Sequence, residues 1–217
     1  MGEPKRAGRA EANRRHILAV ATRELSRNPD ASMDDVARAA GVVRRTVYGH
    51  FPSREALIEG ITDEAAREVE EALARAADGA ASPAEALVGS AIATWEIGDR
   101  YRLLIALARR DLGGAEIRDH LGPARRRLAA ILEEGARQGA LAGHLPPLVL
   151  AHALESLLLG LLQAVTEELW DSPEPARDAA RACLIAAGMP TAEADAAVTA
   201  WVTDAATTPD AAALKGA

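Results

Sequence analysis

Cysteine is nearly missing from this sequence. Cys183 stands alone, which excludes an intrachain disulfide framework and fits a reducing compartment. It also leaves no cysteine pair to found a zinc site. Aromatic residues make up only 3 % of the chain, and no run of alternating β-branched residues occurs, so a sheet has little to be built from. The longest apolar run, around Leu157–Leu162, is bracketed by Glu155 and Gln163 and falls short of a membrane span. The basic start is not followed by a hydrophobic stretch before His16, as a secretory signal requires. Catalytic signatures are lacking too: there is no Gly-x-Ser-x-Gly elbow and no phosphate-binding loop. His152 and Glu155 stand in the reverse of the Glu-x-x-His order of di-iron bundles, without a second copy. The expectation is a cytoplasmic protein that is not an enzyme and needs neither metal nor cofactor.

What is present favours helix. Residues of the apolar class reach 49 %, and alanine, leucine and arginine dominate among good helix formers. The 217 residues suffice for a small domain joined to a larger one. The net charge of −7 argues weakly against a nucleic-acid partner, but the charge is unevenly spread. Residues 1–60 hold 11 Lys and Arg against 8 Asp and Glu, a net of +3. The rest hold 14 against 24, a net of −10. A basic head on an acidic body suits a molecule of which only the head meets a polyanion.

Residues 1–12 carry no periodic apolar face and read as a mobile basic arm. Its Lys5, Arg6 and Arg9 belong either to a minor-groove contact or to a tail without function. Asn13 caps a first helix on which Ile17, Leu18, Ala21 and Leu25 recur at helical spacing. Ser32 opens a second, with Asp34 and Asp35 in the first turn, where the helix dipole favours negative charge. Gly41 ends it. A third helix runs from about Val43 to His50, and Ser53 caps a fourth reaching about Ala77. Beyond Gly79 the pattern predicts long helices near 83–98, 101–112, 123–140, 147–170, 175–187 and 191–205, with a frayed end from Thr207.

The stretch from Ser32 to Ile61 carries the function. Two short helices can cross sharply where Ala37 and Ala40 keep the contact small and Gly41 supplies the turn. Val42, Val47 and Phe51 then turn inward. Arg44, Arg45, Tyr48 and Gly49 remain on the outer face of the third helix, a face rich in donors with no acid on it. Arginine can pair bidentately with guanine in a major groove, whereas Thr46, Tyr48 and His50 suit phosphate oxygens.

The segment GVVRRTVYGHFPSREALIEGI resembles the signature of the tetracycline-repressor family, and the upstream RRHILAVATREL resembles that family's first helix. The resemblance implies an N-terminal helix-turn-helix on a helical regulatory body, acting as a DNA-binding repressor. It implies base contacts from Arg44 and Arg45, phosphate contacts from Thr46, Tyr48 and His50, and backbone contact from Arg54; Gly49, on the same outer face, is counted with these DNA-binding residues. One departure stands out: Val43 occupies a position where Ser or Thr usually caps the third helix, a loss of roughly 1 kcal/mol.

In the body, the 147–170 segment is apolar nearly all round and must be covered on more than one side. Gly160 would allow a close neighbour. The family's last two long helices form a four-helix dimer interface, which the resemblance carries to Leu154, Leu157, Leu158, Leu161, Val165, Ala179 and Cys183. A monomeric bundle enclosing both helices is the alternative. Cys183 is then a small buried residue and not a reactive one. His152, Glu155, Ser156 and Gln163 form a polar stripe, either solvated or facing an effector cavity. Trp95, Tyr101 and His120 lie on segments that line the family's pocket. Many Leu and Ala side chains with a few polar anchors suit an apolar or amphipathic effector.

The reading is an all-α homodimer with a DNA-binding domain at 1–60 and an effector-binding, dimerising domain at 61–217. It binds a pseudo-palindromic operator in double-stranded DNA and is released by a small molecule. The rival is a helical adaptor whose helix-turn-helix is structural only.

Overall fold

The computed structural model describes residues 3–111 and 114–207. Its regular elements are all helices: α1 Glu3–Arg27, α2 Met33–Ala39, α3 Arg44–His50, α4 Arg54–Gly79, α5 Pro83–Arg100 and α6 Arg102–Asp111. There follow α7 Gly114–His120, α8 Gly122–Arg137, α9 Pro147–Thr166, α10 Pro175–Ala186 and α11 Thr191–Thr207. They form two compact units. The first comprises residues up to Ala66 together with Arg100–His120; the second comprises Arg67–Asp99 and the residues from Leu121 onward. The division thus falls within α4, and the first unit takes in α6 and α7 as well as the head.

The first unit is built as the apolar spacing predicts. Ile17, Leu18, Ala21 and Leu25 of α1 are buried with Val36 and Ala37 of α2, Val47 of α3, Phe51, and Leu57, Ile58 and Ile61 of α4. Leu104, Leu107 and Ala108 add the inner face of α6. The fit around Phe51 is tight: a methyl group on Gly60 would lie 2.8 Å from its ring. The His16 ring bonds the Ala40 carbonyl at 3.0 Å, which ties α1 to the end of α2. α1 begins ten residues ahead of the Asn13 cap. The expected mobile arm is therefore helical from Glu3, and the Arg9 side chain is exposed on it.

In the second unit α8 packs along α9, and α10 lies against both α9 and α11. Leu87, Val88 and Trp95 of α5, Leu132 of α8, Leu154 and Leu162 of α9, and Leu184 of α10 are all buried. Trp95 meets Trp170 edge to face at 5.4 Å, a preferred aromatic geometry. Gly188 holds a positive φ of 89°, and a side chain there would lie 2.2 Å from the Ala142 methyl, so only glycine fits.

One additional helix and two helix ends need correction. α7 was not foreseen, because its seven residues GAEIRDH carry no repeating apolar face. α9 ends at Thr166 instead of 170. Glu168 takes a positive φ of 56° there, and the Leu169 N–H reaches back to the Ala164 carbonyl, closing the helix without glycine. α8 stops at Arg137 because Gly139 turns left-handed. The frayed end expected beyond Thr207 lies outside the described residues.

α9 also corrects the expectation that no stretch reaches membrane length. By length and composition it is the one helix among the described residues that could cross a bilayer. Its apolar character has a protein partner, however. Leu150, Ala151, Leu154, Leu158 and Leu162 form a buried stripe, and Glu155 on the same helix is ion-paired to Arg125.

Candidate nucleic-acid interface

The interface starts from the cap of α2. Ser32 accepts the Asp35 N–H at 3.2 Å, while the Asp35 carboxylate accepts the Ser32 N–H at 2.9 Å, a complete capping box. The hydrogen bonds from the Ser32 hydroxyl and N–H, then from Arg38, hold the Asp35 carboxyl down at about 2. α2 leaves through Gly41 at φ 65°, a left-handed turn that glycine adopts without strain. The Val42 N–H bonds the Ala37 carbonyl across that turn.

α3 follows at once. Its N-cap is Val43, extended and without a side-chain cap bond, as the sequence implies; the Thr46 N–H instead bonds the Val43 carbonyl. Val43 is 70 % exposed, so this apolar side chain stands at the open start of the helix. Only Val47 of α3 is buried. Around it Arg44, Arg45, Tyr48 and Gly49 are exposed, and Thr46 and His50 are half-buried. A methyl group on Gly49 would meet nothing within 4 Å, so the backbone there is open to close approach.

The expectation that this face lacks an acid is corrected by the fold. α2 delivers Asp34 to it, and Asp34 Oδ2 accepts from Arg44 Nη1 at 2.8 Å. Arg44 also donates to the Tyr48 hydroxyl at 3.3 Å and lies over its ring, 5.0 Å from the centroid. Arg45 is exposed one residue on, beside this held pair.

Arg54 goes elsewhere. Its guanidinium donates to the Pro29 and Ala31 carbonyls of the α1–α2 turn and lies 3.9 Å from Asp111 on α6. The side chain is 25 % exposed and its donors serve its own chain, so it braces the head from within instead of reaching outward. Lys5 and Arg6 fall where side chains are not described.

The effector candidates are scattered. Trp95 is buried against Trp170 in the second unit. Tyr101 is buried in the first unit, where Arg100 lies over its ring. His120 pairs with Asp63 of α4 at 2.6 Å, also in the first unit. On α9, His152 and Ser156 are exposed, and the Ser156 hydroxyl bonds the His152 carbonyl. Glu155 is bound by Arg125 at 2.7 and 3.0 Å, with only a tenth of its side chain exposed. That carboxylate has its counter-charge already, which apolar periodicity could not foretell.

The interface candidates divide. Leu154, Leu158, Ala179 and Cys183 are buried within one chain, at 1 %, 6 %, 0 % and 1 % exposure, so they form its core and cannot meet a second copy directly. Burial raises the Cys183 thiol to about 12, which leaves it unreactive. Leu157, Leu161 and Val165 are half-buried. The open side of α9 is instead made by Val149, His152, Ala153, Ser156 and Gly160, and sequence alone could not choose between the two sides.

Comparison with known proteins agrees with this arrangement. Residues 17–61 match the family described as bacterial regulatory proteins, tetR family. The HTH-type transcriptional repressor LfrR of Mycolicibacterium smegmatis is 40 % identical over 55 residues, 25 % of this chain and 29 % of that protein. The HTH-type transcriptional regulator EthR of Mycobacterium tuberculosis is 36 % identical over 73 residues, 32 % of this chain and 34 % of that one. The chain thus spans about a third of the length of the curated relatives it matches. Across the fold, the crystal structure of LfrR with proflavine superposes with a TM-score of 0.57 at 22 % identity, covering 89 % of this chain and 96 % of that one. FadR of Bacillus subtilis with stearoyl-CoA gives 0.64 at 17 % identity, covering 78 % and 96 %.

Proposed function

We propose that this chain, whose residues 17–61 match the tetR family of bacterial regulatory proteins, is a ligand-responsive repressor of that family that binds operator DNA as a homodimer. The observation that carries this reading is the outer face of α3, where Val47 anchors the helix from behind. Arg45 and Arg44 are directed to base edges in the major groove; Thr46, Tyr48 and His50 hold phosphate oxygens and set the register. Gly49 lets the duplex backbone come close. The protein works in the cytoplasm, where its DNA is.

A second copy covers the open side of α9. Small residues at Ala153, Ser156 and Gly160 allow close helix approach, and Val149 and Leu157 add apolar area. Two heads related by a two-fold axis then read a pseudo-palindrome whose half-sites lie roughly 34–36 Å apart, or a multiple of that. The effector is a small apolar or amphipathic molecule. Proflavine and stearoyl-CoA in the two similar structures support that class, and here the Trp95–Trp170 pair would supply an aromatic wall. Binding to a conformation with badly spaced heads weakens DNA binding through linkage.

The experiment is selection from random-sequence duplexes followed by footprinting. A two-fold symmetric consensus protected in its major grooves supports the reading. Failure to enrich any sequence overturns it.

A further inference from the structure

The Asp34–Arg44–Tyr48 cluster has a feature that a plain DNA-reading surface does not require. Arg44 sits on the open face of α3, yet its guanidinium is held from two sides, by Asp34 Oδ2 at 2.8 Å and by the ring and hydroxyl of Tyr48. The Asp34 carboxylate is itself set in the first turn of α2. Its Oδ1 is shielded from solvent and has no hydrogen-bond partner among the described residues. The other oxygen faces Arg44, and the pair stands at the surface, with 47 % of the Asp34 and 65 % of the Arg44 side chain exposed. The capping box uses Ser32 and Asp35, so Asp34 adds its first-turn charge to the α2 dipole but makes no capping hydrogen bond.

Resting on the DNA-binding reading above, we infer that Asp34 is a specificity-determining residue that acts through Arg44. Two effects follow from the pairing. The Asp34–Arg44 pair is electrically neutral, so Arg44 brings no net charge to the phosphates of an arbitrary duplex. Meanwhile its planar fork, stacked on Tyr48, is ordered before DNA arrives. A directional guanine edge can still accept from the remaining N–H groups. Asp34 therefore weakens binding to unselected sequences more than to the right one, a repulsive element of the kind that specificity requires.

The test uses the full-length protein with a pool of random-sequence DNA duplexes and the sequence enriched from it. Asp34→Asn keeps the size of the side chain and removes its charge. Affinity for the unselected pool should rise roughly 3–10-fold, and its salt dependence should steepen by about 0.9 per head. Preference at one base position of each half-site should relax. In an Arg44→Ala background the same substitution still removes a charge that repels phosphates, but it should leave base preference unchanged, because the arginine it acts through is gone. Arg44→Lys, which keeps the charge and loses the planar fork, gives an independent check and should lose the same base preference. If the wild type enriches a sequence but Asp34→Asn keeps its pool affinity, salt slope and base preference, this inference fails alone. It fails equally if Asp34→Asn shifts the base preference as strongly without Arg44, or if Arg44→Lys keeps the base preference. If the wild type enriches nothing, the DNA-binding reading falls and takes it along.

Discussion

α3 and α9 each bury one side in the chain and leave the other open, but the open sides differ in kind. α3 hides Val47 alone and presents Arg44, Arg45, Tyr48 and Gly49. α9 hides five residues in a stripe and presents Val149, His152, Ala153, Ser156 and Gly160. A face of donors in a basic head is suited to a polyanion. A face of small and apolar side chains on an acidic body is suited to another protein surface. The comparison teaches that the side a helix buries is what assigns its exposed residues a role.

The largest expected effects separate the two sides of α9. Leu158→Glu would bury an unpaired charge and should abolish folding, read by circular dichroism. Ala153→Glu lies on the open side and should keep the fold while sedimenting as a single chain. If Leu158→Glu gave folded monomers and Ala153→Glu remained dimeric, the two sides would have been assigned the wrong way round. Under α3, Phe51→Ala should cost about 3–5 kcal/mol in chemical denaturation, since the ring is 2 % exposed and closely packed. A loss below about 1 kcal/mol would mean that the head's core does not depend on it.

Much of the head was legible before any coordinates. Ser32, Gly41 and Ser53 mark their boundaries by chemistry that works within a few residues. The failures have two kinds of cause: contacts between residues distant in sequence, and local structure that carries no sequence signal. Asp34 lies ten positions from Arg44, and only the crossing of α2 and α3 brings an acid to that face. Arg54 matched a family position for DNA contact, but the Pro29 and Ala31 carbonyls claim its donors. α9 was too uniformly apolar for its pattern to reveal which stripe would be covered. Its end escaped notice because Glu168, not glycine, takes the left-handed turn.

Smaller effects sharpen the picture of the α3 face. Arg45→Ala should weaken binding to the enriched sequence by about 1–3 kcal/mol and relax one base position. Tyr48→Phe should weaken enriched and unselected duplexes alike, because phosphates carry no code. Sequence-dependent loss from Tyr48→Phe would move that residue to the base-reading set.

The smallest effect concerns the cap that aims α2. Asp35 is held at about 2 against an ordinary 3.8, so its ionised form favours the folded state. That contribution is present above pH 3.8 and is lost as pH falls through about 2. The melting temperature should decline across this window, and Asp35→Asn should flatten that part of the decline. An identical profile for the variant would remove the capping box as its source.

The central claim, that the open side of α3 reads DNA in the major groove, is tested most directly by changing the DNA. In the enriched duplex, each guanine of one half-site is replaced in turn by 7-deazaguanine, which lacks the N7 acceptor and leaves the phosphates and base pairing in place. The wild type should lose about 1–3 kcal/mol at the guanine that an arginine reads, and Arg44→Ala or Arg45→Ala should lose nothing further at the guanine its own arginine reads. Undiminished wild-type affinity for every substituted duplex would contradict the account.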